Sequence, residues 1–179
     1  LRGHTAIGSG CEIGPNAMVR DCIVGKDTTI NASQVNESTI GSHTTVGPFT
    51  YVRPNCRIGD HCRVGDFVEV KNSVIGDGTK ISHLTYVGDS DVGQRVNFGC
   101  GTVTTNYDGH KKHRCTIGDD VFLGCNTNLI APVTVEDRAY TAAGSTVTDD
   151  VPEGALAIAR QRQTNIRGWA DRLRKTWKK

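Results

Sequence analysis

The feature that most constrains this chain is a six-residue period in its apolar side chains. Stepping by six from Ile7, with an occasional step of five, the positions are Ile7, Ile13, Val19, Val24, Ile30, Val35, Ile40, Val46, Val52, Ile58, Val64, Val70, Ile75, Ile81, Val87, Val92, Phe98 and Thr104. After one interruption the series resumes at Ile117 and continues through Leu123, Leu129, Val135 and Thr141 to Val147, so 22 of 24 positions are apolar. An amphipathic helix would scatter such a series around its circumference, and a simple strand alternates with period two. A chain that turns a corner every six residues fits it, each unit giving a short strand with an inward side chain and then a tight turn. Three units close a triangular coil of about 18 residues, and eight coils at strand spacing make a stack roughly 38 Å long. The fold class expected is all-β, a parallel β-helix whose core is a set of Ile, Val and Leu columns. A glycine-rich β-sandwich with coincidental spacing is the alternative, and 22 hits in 24 positions disfavour it.

Glycine follows the inward residue in 13 of the 24 units, and each unit is expected to close in a tight turn where Gly or Asn accepts positive φ. Cys11, Cys56 and Cys62 fall at the small inward position four residues after the apolar one, so they read as packing residues rather than metal ligands. Seven cysteines with no C-x-x-C pair argue against a closed disulfide framework and against a zinc ribbon.

The 179 residues suit one folding unit. Residues 1–159 are read as the prism, with an inserted loop over 105–116, and 160–179 as a basic tail. Residues 1–159 carry 13 basic and 18 acidic side chains, net −5, whereas the tail carries eight basic and one acidic, net +7. A net-negative body lacks the broad basic field that nucleic acid requires. No apolar run is long enough for a membrane helix, and a cytoplasmic protein is the expectation. The chain opens at Leu1 and its one methionine is Met18, which suggests a piece of a longer protein.

Two departures from the period point to function. The segment Thr105-Asn-Tyr-Asp-Gly-His-Lys-Lys-His-Arg-Cys-Thr116 carries a turn signal and a basic cluster, and should project from the prism. The tail places Ile166, Trp169, Leu173 and Trp177 at helical spacing among Arg and Lys, suggesting a helix or extended arm packed on the last coil or on a neighbouring subunit. Arg53 and Lys71, one nominal coil apart in the chain, should stack on successive coils. Two cations that close repel unless an anion lies between them, although spacing alone fits two solvated cations equally well.

The hexads resemble the left-handed coils of the hexapeptide acyltransferases over essentially the whole chain. Four strings, Tyr51-Val-Arg-Pro54, Phe67-Val-Glu-Val-Lys71, His83-Leu-Thr-Tyr-Val-Gly-Asp89 and Asn106-Tyr-Asp-Gly109, resemble the C-terminal domain of the bacterial bifunctional UDP-N-acetylglucosamine pyrophosphorylase / glucosamine-1-phosphate N-acetyltransferases. That resemblance implies transfer of an acetyl group from acetyl-CoA to the amine of glucosamine 1-phosphate. It implies His83 as general base with Glu69 orienting its ring, and Arg53, Lys71, Tyr86 and Asn97 at the sugar phosphate. It also implies Cys100, Asn106, Tyr107, Lys112, Cys125, Ala143 and Arg160 at acetyl-CoA. Cys100 and Cys125 stand where Ala and Ser are usual, which weakens a hydroxyl contact at 125 and raises an acetyl-cysteine intermediate as an alternative to direct amine attack.

A homotrimer with intersubunit active sites is expected, and no metal is expected for this half-reaction, magnesium belonging to the family's N-terminal domain. The competing readings are a hexapeptide acyltransferase with another amino-sugar or serine acceptor, a γ-carbonic-anhydrase-like metal hydrolyase, for which no H-x4-H pair is present, and a non-catalytic β-helix scaffold.

Overall fold

The computed structural model describes residues 1–177, so Lys178 and Lys179 of the basic tail lie outside the described residues. The chain winds as a left-handed parallel β-helix with three flat faces. The first face holds eight strands, from Ala6–Ile7 to Val133–Val135, and the second holds nine, from Glu12–Ile13 to Leu156–Ala157. The third holds eight, from Met18–Arg20 to Thr146–Val147. Pairing along each face is parallel, and inward residues stack on inward residues: Val24 on Ile40, Ile40 on Ile58, Ile58 on Ile75. The length of a coil therefore varies slightly, according to how many of its steps are shortened from six to five.

Of the 24 period positions, 22 are buried, and Ile7 and Ile13 in the first coil are partly so. Each fully buried Val, Ile or Leu contributes about 1.5–3 kcal/mol by leaving water. The small inward positions tie coils together: Thr44 Oγ1 donates to Gly59 O at 2.9 Å and Thr79 Oγ1 to Gly93 O at 2.9 Å. Cys56 and Cys62 occupy the same kind of position, and burial pushes both thiols up. All seven cysteines are free.

Three expectations need correction. First, of the 13 glycines that follow an inward residue, only Gly14 and Gly47 have positive φ. Asn holds some left-handed corners as expected, at Asn55 and Asn72, and others are held by residues such as Asp27, His43 and Arg95. Glycine is needed because the next coil passes too close: a Cβ on Gly76 would meet Gly93 C at 2.5 Å. Second, the apolar period, though not the prism read over 1–159, is expected to end at Val147, and it continues further. Val151 is buried, and Leu156–Ala157 pairs with Tyr140–Thr141, a continuation hidden by a shortened step from Val147 to Val151. Third, the tail helix, Trp169–Thr176, buries no residue, so it does not pack on its own last coil.

Candidate active site

At the corner where the third face passes to the first, the strands Tyr51–Val52 and Glu69–Lys71 lie in register, Val52 against Val70. Arg53 and Lys71 therefore follow their inward neighbours on successive rungs, as the coil arithmetic requires. They are not a bare cation pair awaiting an anion. Arg53 Nη1 donates to Glu69 Oε1 at 2.9 Å, and Lys71 Nζ lies 3.0 Å from Asp89 Oδ2. What sets the charge of the corner is a third cation. Lys112 makes no ion pair among the described residues, and the Lys71 ammonium beside it pulls it below the usual lysine range. An anion entering here would relieve that repulsion.

Asp89, 4% exposed, holds this corner together. Its carboxylate accepts from Asn72 Nδ2 at 2.6 Å, from Lys71 and from Asn106 Nδ2. Burial works to raise its pKa, and these hydrogen bonds outweigh burial, leaving it below the usual carboxylate range. Arg114 forms two hydrogen bonds to Asp91, at 2.9 and 2.6 Å, and donates to Asn72 O. Arg53, Lys71, Asn72, Asp89, Lys112 and Arg114 thus line most of an open cleft of about 600 Å³.

The inserted loop explains how Lys112 reaches the cleft. Asp108 caps a tight turn, accepting from the backbone N–H groups of His110 and Lys111 and contacting His113 Nε2 at 2.7 Å. Those contacts hold its carboxyl far below the usual range. Tyr107 and Lys112 face each other in an antiparallel bridge. The stem folds back over its own prism, so the expectation that the loop projects holds only for its exposed tip.

His83 lies across the third face, at the corner where the second face ends. Its Nδ1 is 2.7 Å from Asp66 Oδ1, because Asp66 and His83 are register partners on neighbouring rungs. The hydrogen bond to His83 holds the Asp66 carboxyl below its usual range. Glu69, expected to orient the ring, is engaged by Arg53 instead, since the strand register puts position 66 and not 69 beside position 83.

Along the same corner, one residue per coil, stand Asp66, His83, Cys100, Cys125 and Ala143, with Arg160 against Gly144 at the last rung. The structure thus brings His83 into line with four residues expected at acetyl-CoA. Lys112 and Asn106 lie with the cation cleft instead, and Asn106 Nδ2 donates to the Tyr86 hydroxyl at 3.3 Å across the third face. Asn97 lies on the second face between Lys80 and Phe122, and Tyr107 is exposed on the loop with its hydroxyl on Gly109 O. Sequence reasoning missed Asp66, Asn72, Asp89 and Arg114. Asp89 lies one nominal coil from Lys71, so the arithmetic that paired Arg53 with Lys71 was the available signal for it, whereas Asp66 pairs with His83 across a coil one residue shorter.

Among the described residues no three His, Cys, Asp or Glu side chains gather as a metal-ligand set, and no helix is long and apolar enough to cross a membrane.

Residues 37–72 and 114–149 match the family described as bacterial transferase hexapeptide (six repeats). The chain is 56% identical over 172 residues to the bifunctional protein GlmU of Clostridium acetobutylicum, covering 96% of this chain and 38% of that protein. It is also 56% identical over 173 residues to GlmU of Geobacillus sp., covering 97% and 38% respectively. It therefore spans well under half the length of these relatives. A mutant of perosamine N-acetyltransferase from Caulobacter crescentus, solved with CoA and GDP-perosamine, superposes with TM-score 0.58 at 26% identity, over 65% of this chain and 53% of that one. Arabidopsis UDP-N-acetylglucosamine acyltransferase superposes with TM-score 0.58 at 17% identity, over 98% and 68%, a likeness of fold alone. By repeat, by fold and by these relatives, the chain belongs to the hexapeptide-repeat transferases and corresponds to the hexapeptide-repeat domain of the GlmU proteins.

Proposed function

We propose that this domain transfers the acetyl group of acetyl-CoA to the amine of glucosamine 1-phosphate, giving the N-acetylglucosamine 1-phosphate from which UDP-N-acetylglucosamine is made in the cytoplasm. The observation that carries this reading is one prism face with a cation cleft at one edge and an imidazole tied to a carboxylate at the other. In this reading the phosphate enters beside Lys71, Lys112 and Arg53, where it offsets the cation excess, and the sugar lies across the third face past Tyr86, with Asn97 as its further contact. Asp66 takes the Nδ1 proton of His83 in a hydrogen bond, which leaves Nε2 with its lone pair toward the amine. As the nitrogen attacks the thioester carbonyl, His83 accepts the amine proton, the C–S bond breaks and the proton passes to the departing CoA sulfur. The corner column beyond His83, Cys100, Cys125, Ala143 and Arg160, is the track for acetyl-CoA, and the exposed Tyr107 of a second copy's loop reaches it, while Asn106 and Lys112 stay with the cleft of their own prism. The working form is a homotrimer, because the cleft and the column occupy different edges of one prism and a neighbouring copy brings its loop to the column. No metal takes part in this transfer.

The test is release of CoA thiol with glucosamine 1-phosphate as acceptor. His83→Ala should lower kcat by about 10²–10⁴ without loss of the fold. An unchanged kcat would remove His83 from the mechanism, and transfer to serine in preference to the sugar phosphate would replace the acceptor.

A further inference from the structure

Five of the seven cysteines have no cysteine on the next rung. Cys56 stacks between Ser38 and Ser73, and Cys62 between Thr44 and Thr79. Cys22, Cys56, Cys62 and Cys115 are buried, and burial pushes their thiols up, Cys115 to about 11. Cys100 and Cys125 differ on both counts. Cys125 is exposed and Cys100 partly exposed. They also follow the paired positions Phe98 and Leu123 by two residues each, so they stack directly. Hydrogen bonds clamp the pair from both sides, Gly99 N donating to Leu123 O at 2.8 Å before it and Asn126 N to Cys100 O at 2.8 Å after it. Gly99 has no side chain to keep the two corners apart, since a Cβ there would lie 2.4 Å from Cys125 N. At a rung spacing of about 4.8 Å, the two Cα atoms fall inside the range of about 4.4–6.8 Å that a disulfide spans.

We propose that Cys100 and Cys125 form an oxidisable dithiol site that peroxide closes to a disulfide between adjacent coils. The first thiolate attacks hydrogen peroxide, the O–O bond breaks, and a sulfenic acid and water result. The second thiol attacks that sulfur, the S–S bond forms, the S–O bond breaks and a second water leaves, so two thiols and one peroxide give one disulfide and two waters. Cys100 is one rung beyond His83 in the corner column. The effect of the bridge on turnover therefore rests on the proposed acetyl-CoA track, whereas formation of the bridge does not.

The experiment treats the whole chain with hydrogen peroxide and follows intact mass, tryptic peptides and CoA release. The expected result is a loss of two hydrogen masses and a link between peptides 96–111 and 115–138. Fragmentation should place the link at Cys125 and not at the buried Cys115. Turnover should fall about a hundredfold through misplacement of the thioester, and return with dithiothreitol. Cys100→Ala and Cys125→Ser, each compared with its own untreated rate, should abolish the link and the peroxide sensitivity. Separate sulfinic acids, or two unmodified thiols, would overturn the site. A linked protein that turns over as fast as the reduced one would overturn the blocking effect. A reduced protein without acetyl transfer would instead sink the proposed function, with the linked peptide still standing for the dithiol.

Discussion

At the scale of single residues, the candidate site depends on two carboxylates, Asp66 and Asp89. Asp66 and His83 are far apart in the chain and 2.7 Å apart in space. Asp66→Asn keeps the shape of that contact and removes its charge, and should lower kcat about ten- to a hundredfold with little change in KM for the sugar phosphate. Glu69→Gln, which loosens Arg53, should act mainly on that KM. Steady-state kinetics of the two variants separate these roles. Asp89 is different because it is buried against Lys71. Asp89→Asn leaves that ammonium without its partner, and should cost about 3 kcal/mol of stability near neutral pH. The Asp89 carboxyl titrates below its unfolded value. Its contribution is thus complete above the ordinary aspartate pKa of about 3.9 and fades as the pH falls through the lower folded value, so urea unfolding of parent and variant should converge at acid pH. His83, Arg53 and Lys71 were legible because they sit in motif strings or one nominal coil apart. Asp66 was hidden by a coil shorter than the nominal length, which shifts the neighbour of position 83 from the site expected for it.

At the scale of the element, a corner of the prism is governed by two separate demands that the sequence shows as one. The glycine after the inward residue marks close passage of the next coil, and the residue held at positive φ stands elsewhere in the turn. Gly76→Ala, at ordinary φ but facing Gly93 C at 2.5 Å, should cost about 3 kcal/mol. Gly154→Ala, at φ +66° with open space around it, should cost only about 1–2 kcal/mol. Thermal or urea melts of the two variants decide between crowding and φ as the reason for glycine. The strands themselves were legible almost residue by residue, because Ile and Val at every sixth position leave one inward direction. The loop was legible as an interruption and its fold was not, since Asp108 reaches its turn partners by local hydrogen bonds that carry no period.

At the scale of the whole molecule, stacking turns residues a full coil apart in the chain into neighbours, and the longest such separation arises where the inserted loop lengthens the coil between Val92 and Ile117. That is how a chain with few aromatic residues gathers cations, carboxylates and an imidazole onto one face. The proposed assembly follows from the same geometry, and sedimentation equilibrium should give three times the 19.3 kDa chain mass. An active monomer would refute the shared site. The tail leaves Ile166, ahead of its helix, and Trp169 exposed, so the trimer should also shield them, which tryptophan fluorescence on dilution can follow. The central claim is that this face joins a phosphorylated amine to a thioester. Its most direct test is the rate of CoA release with glucosamine 1-phosphate set against glucosamine under the same acetyl-CoA. The phosphorylated sugar should be acetylated at least about a hundredfold more efficiently, because its phosphate is held by a charged corner. Equal rates with the two acceptors, or none with the phosphorylated one, would contradict it.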